Sequence, residues 1–153
     1  MNRTFIIARV VITAFSLAFS TAAFSGNLEA EKAALIKADG AWFATSKSGA
    51  DFIGYTDPEF TFFPPGAPFM SDKDVMIKHW DSIVSTPRLE LVWGPDGAFV
   101  SENGDYGHTY GWYTLKTVDD KGAKNVSKGK YLTVMRKQAN GEWRPLADIF
   151  NAD

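Results

Sequence analysis

From residue 88 to residue 150 the chain reads as a succession of long apolar or alternating runs, each stopped by a short cluster of turn formers. The runs cover 88–93, 98–102, 107–118, 128–137 and 142–150. The stops are Gly94-Pro95-Asp96-Gly97, Asn103-Gly104, Asp119-Asp120-Lys121-Gly122 and Gln138-Ala139-Asn140-Gly141. Strands joined by loops this short pair antiparallel, because a parallel connection needs a dozen residues or more. Pro145 lies inside the last run and removes a ladder donor, which predicts an edge position or a bulge there. Alternation along 107–118 puts His108, Tyr110, Trp112 and Thr114 on one face and Thr109, Gly111, Tyr113 and Leu115 on the other.

The stretch before this meander is helical in pattern. Asn27 is a suitable N-cap, and Leu28, Leu35, Asp39, Trp42 and Phe43 share one helical face, which predicts a helix over about 28–46. A short second helix is expected over 51–56, closed by Asp57-Pro58, and a strand over 59–63. Pro64-Pro65-Gly66-Ala67-Pro68 then forces a turn. Ser71-x-x-Asp74 resembles a capping box and opens a third helix to about residue 85, with Met76, Trp80, Ile83 and Val84 as its apolar stripe. Helices followed by a strand meander predict an α+β fold: about three N-terminal helices over the concave face of a strongly curved, mixed or antiparallel sheet. Such a cone has an open mouth, where small concave folds place ligands.

The first 25 residues read as a targeting signal. No acid precedes Glu29; Arg3 and Arg9 lead into an apolar run over 10–19, and small residues follow. This is the layout of a secretory signal peptide, cut before Gly26 or after Ala23. An uncleaved anchor is the alternative, although the run is short for a membrane span. With residues 1–25 removed, one domain (26–153) remains with 14 basic and 18 acidic residues, a net charge of −4. The expected destination is the periplasm or the medium, with no membrane attachment after cleavage. The acidic balance argues against nucleic acid. The chain has no Cys, which excludes disulfide staples and thiolate chemistry in that oxidising setting. Stability must come from the core and, as expected here, a homodimer contact. Aromatics make up 14% of the sequence, enough for a large core, a lined cavity or both.

Several stretches resemble one family. The segment Gly129-Lys130-Tyr131-Leu132-Thr133-Val134-Met135-Arg136-Lys137, continuing through Asn140-Gly141-Glu142-Trp143-Arg144 to Asp148-Ile149-Phe150-Asn151, is similar to the end of the DUF4440 group of the NTF2-like (SnoaL-like) superfamily. Gly104-Asp105-Tyr106-Gly107-His108-Thr109-Tyr110-Gly111, Asp39-x-x-Trp42-Phe43 and Phe62-Phe63-Pro64-Pro65-Gly66 resemble shorter motifs of that group. The resemblance implies an NTF2-like cone, often dimeric through its sheet. It does not imply a reaction, because the superfamily holds enzymes, transport factors and assembly domains alike. The ketosteroid isomerase branch carries a general-base Asp after its first sheet strand; the corresponding place here reads Phe62-Phe63-Pro64-Pro65, which disfavours that chemistry.

Four titratable residues are candidates for acid–base chemistry. Asp39 is either a cavity acid or a structural acceptor on the apolar face of the first helix. His79 borders the stripe of the third helix and is read mainly as a surface residue. His108 is either a polar anchor among aromatics or a cross-strand partner on the convex face. Asp148 is either a buried acceptor or half of an acid–base pair with His108 or Asp39. Trp42, Tyr55, Phe62, Trp80, His108, Tyr110, Trp112 and Tyr131 are the candidate ligand contacts. No His or Cys spacing suits a metal, no phosphate loop follows a strand and no Gly-x-Ser-x-Gly occurs, so no cofactor or metal is expected. The expectation is an exported small-molecule-binding domain for an apolar or aromatic ligand. The alternatives are a cofactor-independent lyase, isomerase or hydrolase and a dimeric assembly module.

Overall fold

A computed structural model describes residues 19–119 and 121–153, with side chains from Asn27 onward. Most of the expected signal segment lies outside the described residues. Among the described residues three helices, α1 (Phe19–Thr45), α2 (Gly49–Gly54) and α3 (Lys73–Val84), accompany five strands: β1 (Thr61–Phe63), β2 (Glu90–Val100), β3 (Tyr106–Val118), β4 (Lys124–Lys137) and β5 (Trp143–Ala152). The strand order is β1-β5-β4-β3-β2, antiparallel except for the parallel β1–β5 pair. This is the expected curved α+β sheet with its helices on the concave side.

Local differences have physical causes. Helix α1 starts before the expected Asn27 cap and takes in the expected cleavage position. Asp72, not Ser71, caps α3, accepting from the Val75 amide at 3.0 Å. The Gly94–Gly97 cluster does not turn the chain: most of 88–93 and of 98–102 falls in one strand, β2 (Glu90–Val100), with a register shift between Pro95 and Gly97. Pro95 is tolerated there because β2 is an edge strand, and the bulge bends the sheet. Gly111 sits opposite, where a Cβ would lie 2.1 Å from the Gly94 carbonyl oxygen, so only glycine lets the strands close over the bulge. A second register shift, between Val134 and Met135, falls opposite Pro145, as the proline predicted.

Two clusters form the core. Trp42, Phe52, Ile53, Phe60, Phe62, Met76 and Trp80 join the three helices to β1. Leu35, Val100, Met135 and Trp143 hold the middle of α1 against the sheet. The 35/39/42 spacing predicted for α1 is the buried face observed. Helix α2 meets α3 so closely that a Cβ on Gly49 would lie 2.2 Å from the Ile77 carbonyl oxygen, and the Gly49 amide donates to Asp81 at 2.6 Å.

Candidate functional site

Parity along the strands decides what faces the helices. Leu91 and Trp93 of β2, Tyr113 and Leu115 of β3, Tyr131 and Thr133 of β4, and Asp148 and Phe150 of β5 share the concave face. With Trp42 of α1, Phe52 of α2 and Trp80 and Ile83 of α3, most of them surround a half-enclosed cavity of about 70 Å³. Trp42, Phe52, Trp80, Tyr113 and Tyr131 are buried around it, while Ile83, Leu91 and Leu115 are partly exposed and form its mouth. Phe52 stacks on Trp80 at 3.9 Å and 12°. Trp93 stands edge-on to both Trp80 (6.0 Å, 87°) and Trp42 (5.8 Å, 69°), so the three indoles face the space from different directions. Such edge contacts add roughly 0.5–1.5 kcal/mol each beyond the area they bury.

The indole N–H groups are already satisfied. Trp42 donates to the Phe52 carbonyl at 3.0 Å, Trp80 to the Ser46 carbonyl at 3.3 Å and Trp93 to Asp39 at 3.1 Å. The cavity wall is therefore almost wholly apolar, and Asp148 is its one charged group. The Asp148 carboxylate accepts from Thr133 Oγ1 at 2.6 Å through Oδ1; its Oδ2 receives no bond from the described residues and keeps some exposure, so it is not a buried orphan. Burial pushes its pKa up to about 7, partly offset by the Thr133 bond and reinforced by the charge of Asp39.

Asp39 sits behind the wall. It is fully buried and accepts from Thr109 Oγ1 (2.5 Å), Tyr131 Oη (3.0 Å) and Trp93 Nε1 (3.1 Å). Burial raises its pKa despite these three bonds. Its oxygens are engaged, so it orients Trp93 and Tyr131 and does not itself open onto the cavity.

Of the other expected site residues, Trp42, Trp80 and Tyr131 line the cavity, and Phe62 packs in the core beside it. Tyr55 lines a wider surface groove between α1 and the 141–144 segment. His79 is half-buried on α3 with its ring 5.9 Å from Phe62. His108, Tyr110 and Trp112 lie on the opposite, convex face, where His108 stacks on Phe99 at 5.5 Å. Asp148 is brought near Asp39 but not near either histidine's face. Simple alternation would put Arg144 on the face of Asp148, but the bulge at Pro145 switches the parity and sets Arg144 opposite Arg136 in the register.

No pattern in the sequence points to a cluster about Asp57. The fully buried Asp57 receives Arg136 through Nε (2.9 Å) and Nη2 (2.6 Å), Gln138 Nε2 (2.7 Å) and the Glu59 amide (2.9 Å). Burial pushes its pKa up, but these bonds outweigh it and hold the carboxyl below its usual range. The partners are 79 positions apart, and no local pattern joins them. Glu31 is tied in the same way to Lys137 and to the Trp143 indole.

No family model matches the chain, and no curated protein matches it in sequence. Solved structures match its fold. A ketosteroid isomerase-like protein from Erwinia carotovora atroseptica superposes with a TM-score of 0.68 at 16% identity, covering 80% of this chain and 95% of its own. An NTF2-like protein with a cystatin-like fold from Novosphingobium aromaticivorans gives 0.67 at 11% identity over 86% and 88%. The association domain of C. elegans CaMKII gives 0.66 at 12% identity over 82% and 98%. The chain therefore has the NTF2-like fold. At these identities the likeness extends to architecture and leaves the activity open.

Proposed function

We propose that this chain is an exported, DUF4440-type (SnoaL-like) member of the NTF2-like superfamily that holds a small, compact molecule in the mouth of its cone. The observation that carries the reading is the aromatic cavity closed by one buried, half-satisfied carboxyl group. At about 70 Å³ the space is roughly half that of an engineered cavity that accepts benzene, so the ligand enters by a small group and not as a large ring system. Export is supported by the basic start, the apolar run and the absence of acids before Glu29. Any acid–base chemistry here would centre on Asp148, since Asp39 is engaged and the histidines lie elsewhere. The test is native mass spectrometry of the purified protein followed by extraction and a fluorescence screen of small molecules. A ligand that quenches the cavity tryptophans and is lost on Trp80→Leu supports the reading; ligands that bind equally to that variant, once it is shown to fold, refute it.

A second reading, self-assembly, rests on the convex face. Across four adjacent strands Phe63, Ile149, Leu132 and Tyr110 form one row, exposed by 38%, 50%, 37% and 49%. An unpartnered apolar row of this length is the kind of surface that proteins cover. The fold likeness to the CaMKII association domain points the same way. A homodimer packed through this row is the arrangement we favour.

A further inference from the structure

From the aromatic faces around the cavity and the buried acid left without a base, we propose that the group this cavity takes is a compact organic cation, a methylated ammonium head. The proposal rests on the ligand-binding reading above and narrows it to one chemical class.

The argument starts from charge balance. The other fully buried acid, Asp57, has a basic partner in Arg136, and the partly buried Glu31 has Lys137. Asp39 and Asp148 have none. Their donors are hydroxyls and an indole, and no Lys or Arg bonds to either among the described residues. A buried carboxylate needs a partner or loses its charge. Around this unpaired acid stand the rings of Trp42, Trp80, Trp93, Tyr113 and Tyr131. Aromatic faces carry the negative side of the ring quadrupole, and cages of such rings are the recurring receptors for quaternary ammonium groups. The satisfied indole N–H groups leave the faces and edges of those rings, with the Tyr113 hydroxyl, to meet a guest. A methylated ammonium makes no demand for acceptors, can enter the cavity methyl-first, and supplies the missing positive charge beside Asp148 Oδ2.

The titratable groups around Asp148 are Asp39 from α1, Tyr131 from β4, Tyr113 from β3 and, beyond Phe62, His79 from α3. Of these only Asp39 bears on its protonation as a charge. In the empty cavity Asp148 takes up a proton near neutrality, and an entering cation must displace it. Cation affinity therefore rises with pH and a proton is released on binding.

The test uses the full chain and a matched pair of probes: choline and its neutral carbon isostere 3,3-dimethylbutan-1-ol, followed by tryptophan fluorescence and calorimetry in buffers of different ionisation enthalpy. Choline is expected to bind at least about tenfold more tightly than the isostere at pH 8 and to lose about tenfold in affinity by pH 6, as expected for competition with one proton. Asp148→Asn is expected to abolish the preference. Should that variant not fold, the pH dependence and buffer-dependent heat of the unaltered protein decide alone. Co-sedimentation with phosphatidylcholine vesicles, in place of binding to free choline, would assign the same head group to a lipid source. Equal binding of choline and isostere overturns the cation assignment and leaves the pocket intact. Binding of neither overturns both.

Discussion

Asp148 makes the stability of the protein depend on pH in an unusual direction. An exposed carboxyl releases its proton near 3.8, whereas burial raises the folded-state value to about 7. Between those values the folded state binds more protons than the unfolded state, so stability falls as pH rises. The contribution is intact below the unfolded value and lost once pH passes the folded one. A gap of roughly three pH units at about 1.36 kcal/mol each corresponds to about 4 kcal/mol. That is a large part of the roughly 5–15 kcal/mol that holds a domain folded. Asp148→Asn keeps an oxygen for the Thr133 hydroxyl but carries no charge. The variant should match the unaltered protein near pH 4 and exceed it by up to about 4 kcal/mol at pH 8. Urea unfolding followed by tryptophan fluorescence across pH 4–8 measures both. Asp57 and Glu31, held low by their bases, act in the opposite direction at acid pH and are common to both proteins, so the difference reports position 148 together with its coupling to Asp39. Parallel stability curves for the two proteins across that range would refute the assignment of a neutral-range proton to this carboxyl.

Arg136→Met strands Asp57 as a buried charge and should cost about 3–5 kcal/mol, read as a lower urea midpoint; the double variant with Asp57→Leu should regain part of it. Gly49→Ala forces a methyl against the Ile77 carbonyl and should cost about 1–3 kcal/mol in thermal unfolding. Asp39→Leu leaves the Thr109, Tyr131 and Trp93 donors without their acceptor, at about 1–3 kcal/mol for each donor that water does not reach, and should redden and broaden the tryptophan emission. Leu132→Lys combined with Ile149→Lys should sediment as a monomer if the convex row is the assembly face; an unchanged, larger species would exclude that face.

What could be read in the sequence was periodic, and what could not was long-range. The 35/39/42 spacing of α1, the turn residues between strands and the parity of 107–118 each lie within a few positions, and the fold follows them. The Gly94-Pro95-Asp96-Gly97 cluster misled because a bulge and a turn draw on the same residues; only the unbroken partner β3 decides between them. For the site, Trp42, Trp80, Tyr131 and Asp148 were legible as candidates, and three of these are bulky aromatics that any core would bury. Trp93 and Tyr113, which close the cavity, carried no sign of it. Their role depends on which sheet face the helices cover, and strand alternation is symmetric in that choice. The same symmetry left His108, Tyr110 and Trp112 undecided between pocket and outer surface. The Asp57–Arg136 pair has no local signal at all.

That symmetry is broken by a polar contact more than by hydrophobicity. Both faces of β3 carry large aromatics, Tyr113 inside and Tyr110 and Trp112 outside, and β4 adds Tyr131 inside and Leu132 and Val134 outside. A slip of one residue would exchange the faces at little cost in apolar character. Asp39 is what such a slip could not satisfy. Its carboxylate reaches from α1 to Trp93 on β2, Thr109 on β3 and Tyr131 on β4, one donor from each of three adjacent strands and all of inner parity. Exchanging the faces of β3 would put His108 or Tyr110 where the small Thr109 hydroxyl now fits, and would leave a fully buried acid without donors. A carboxylate that burial makes harder to ionise thus specifies register, and the register in turn places the unpaired Asp148 against the cavity. The strain of keeping two acids under one set of helices without a base is therefore tied to the same contacts that fix the fold, which is why it persists where an apolar core would have removed it.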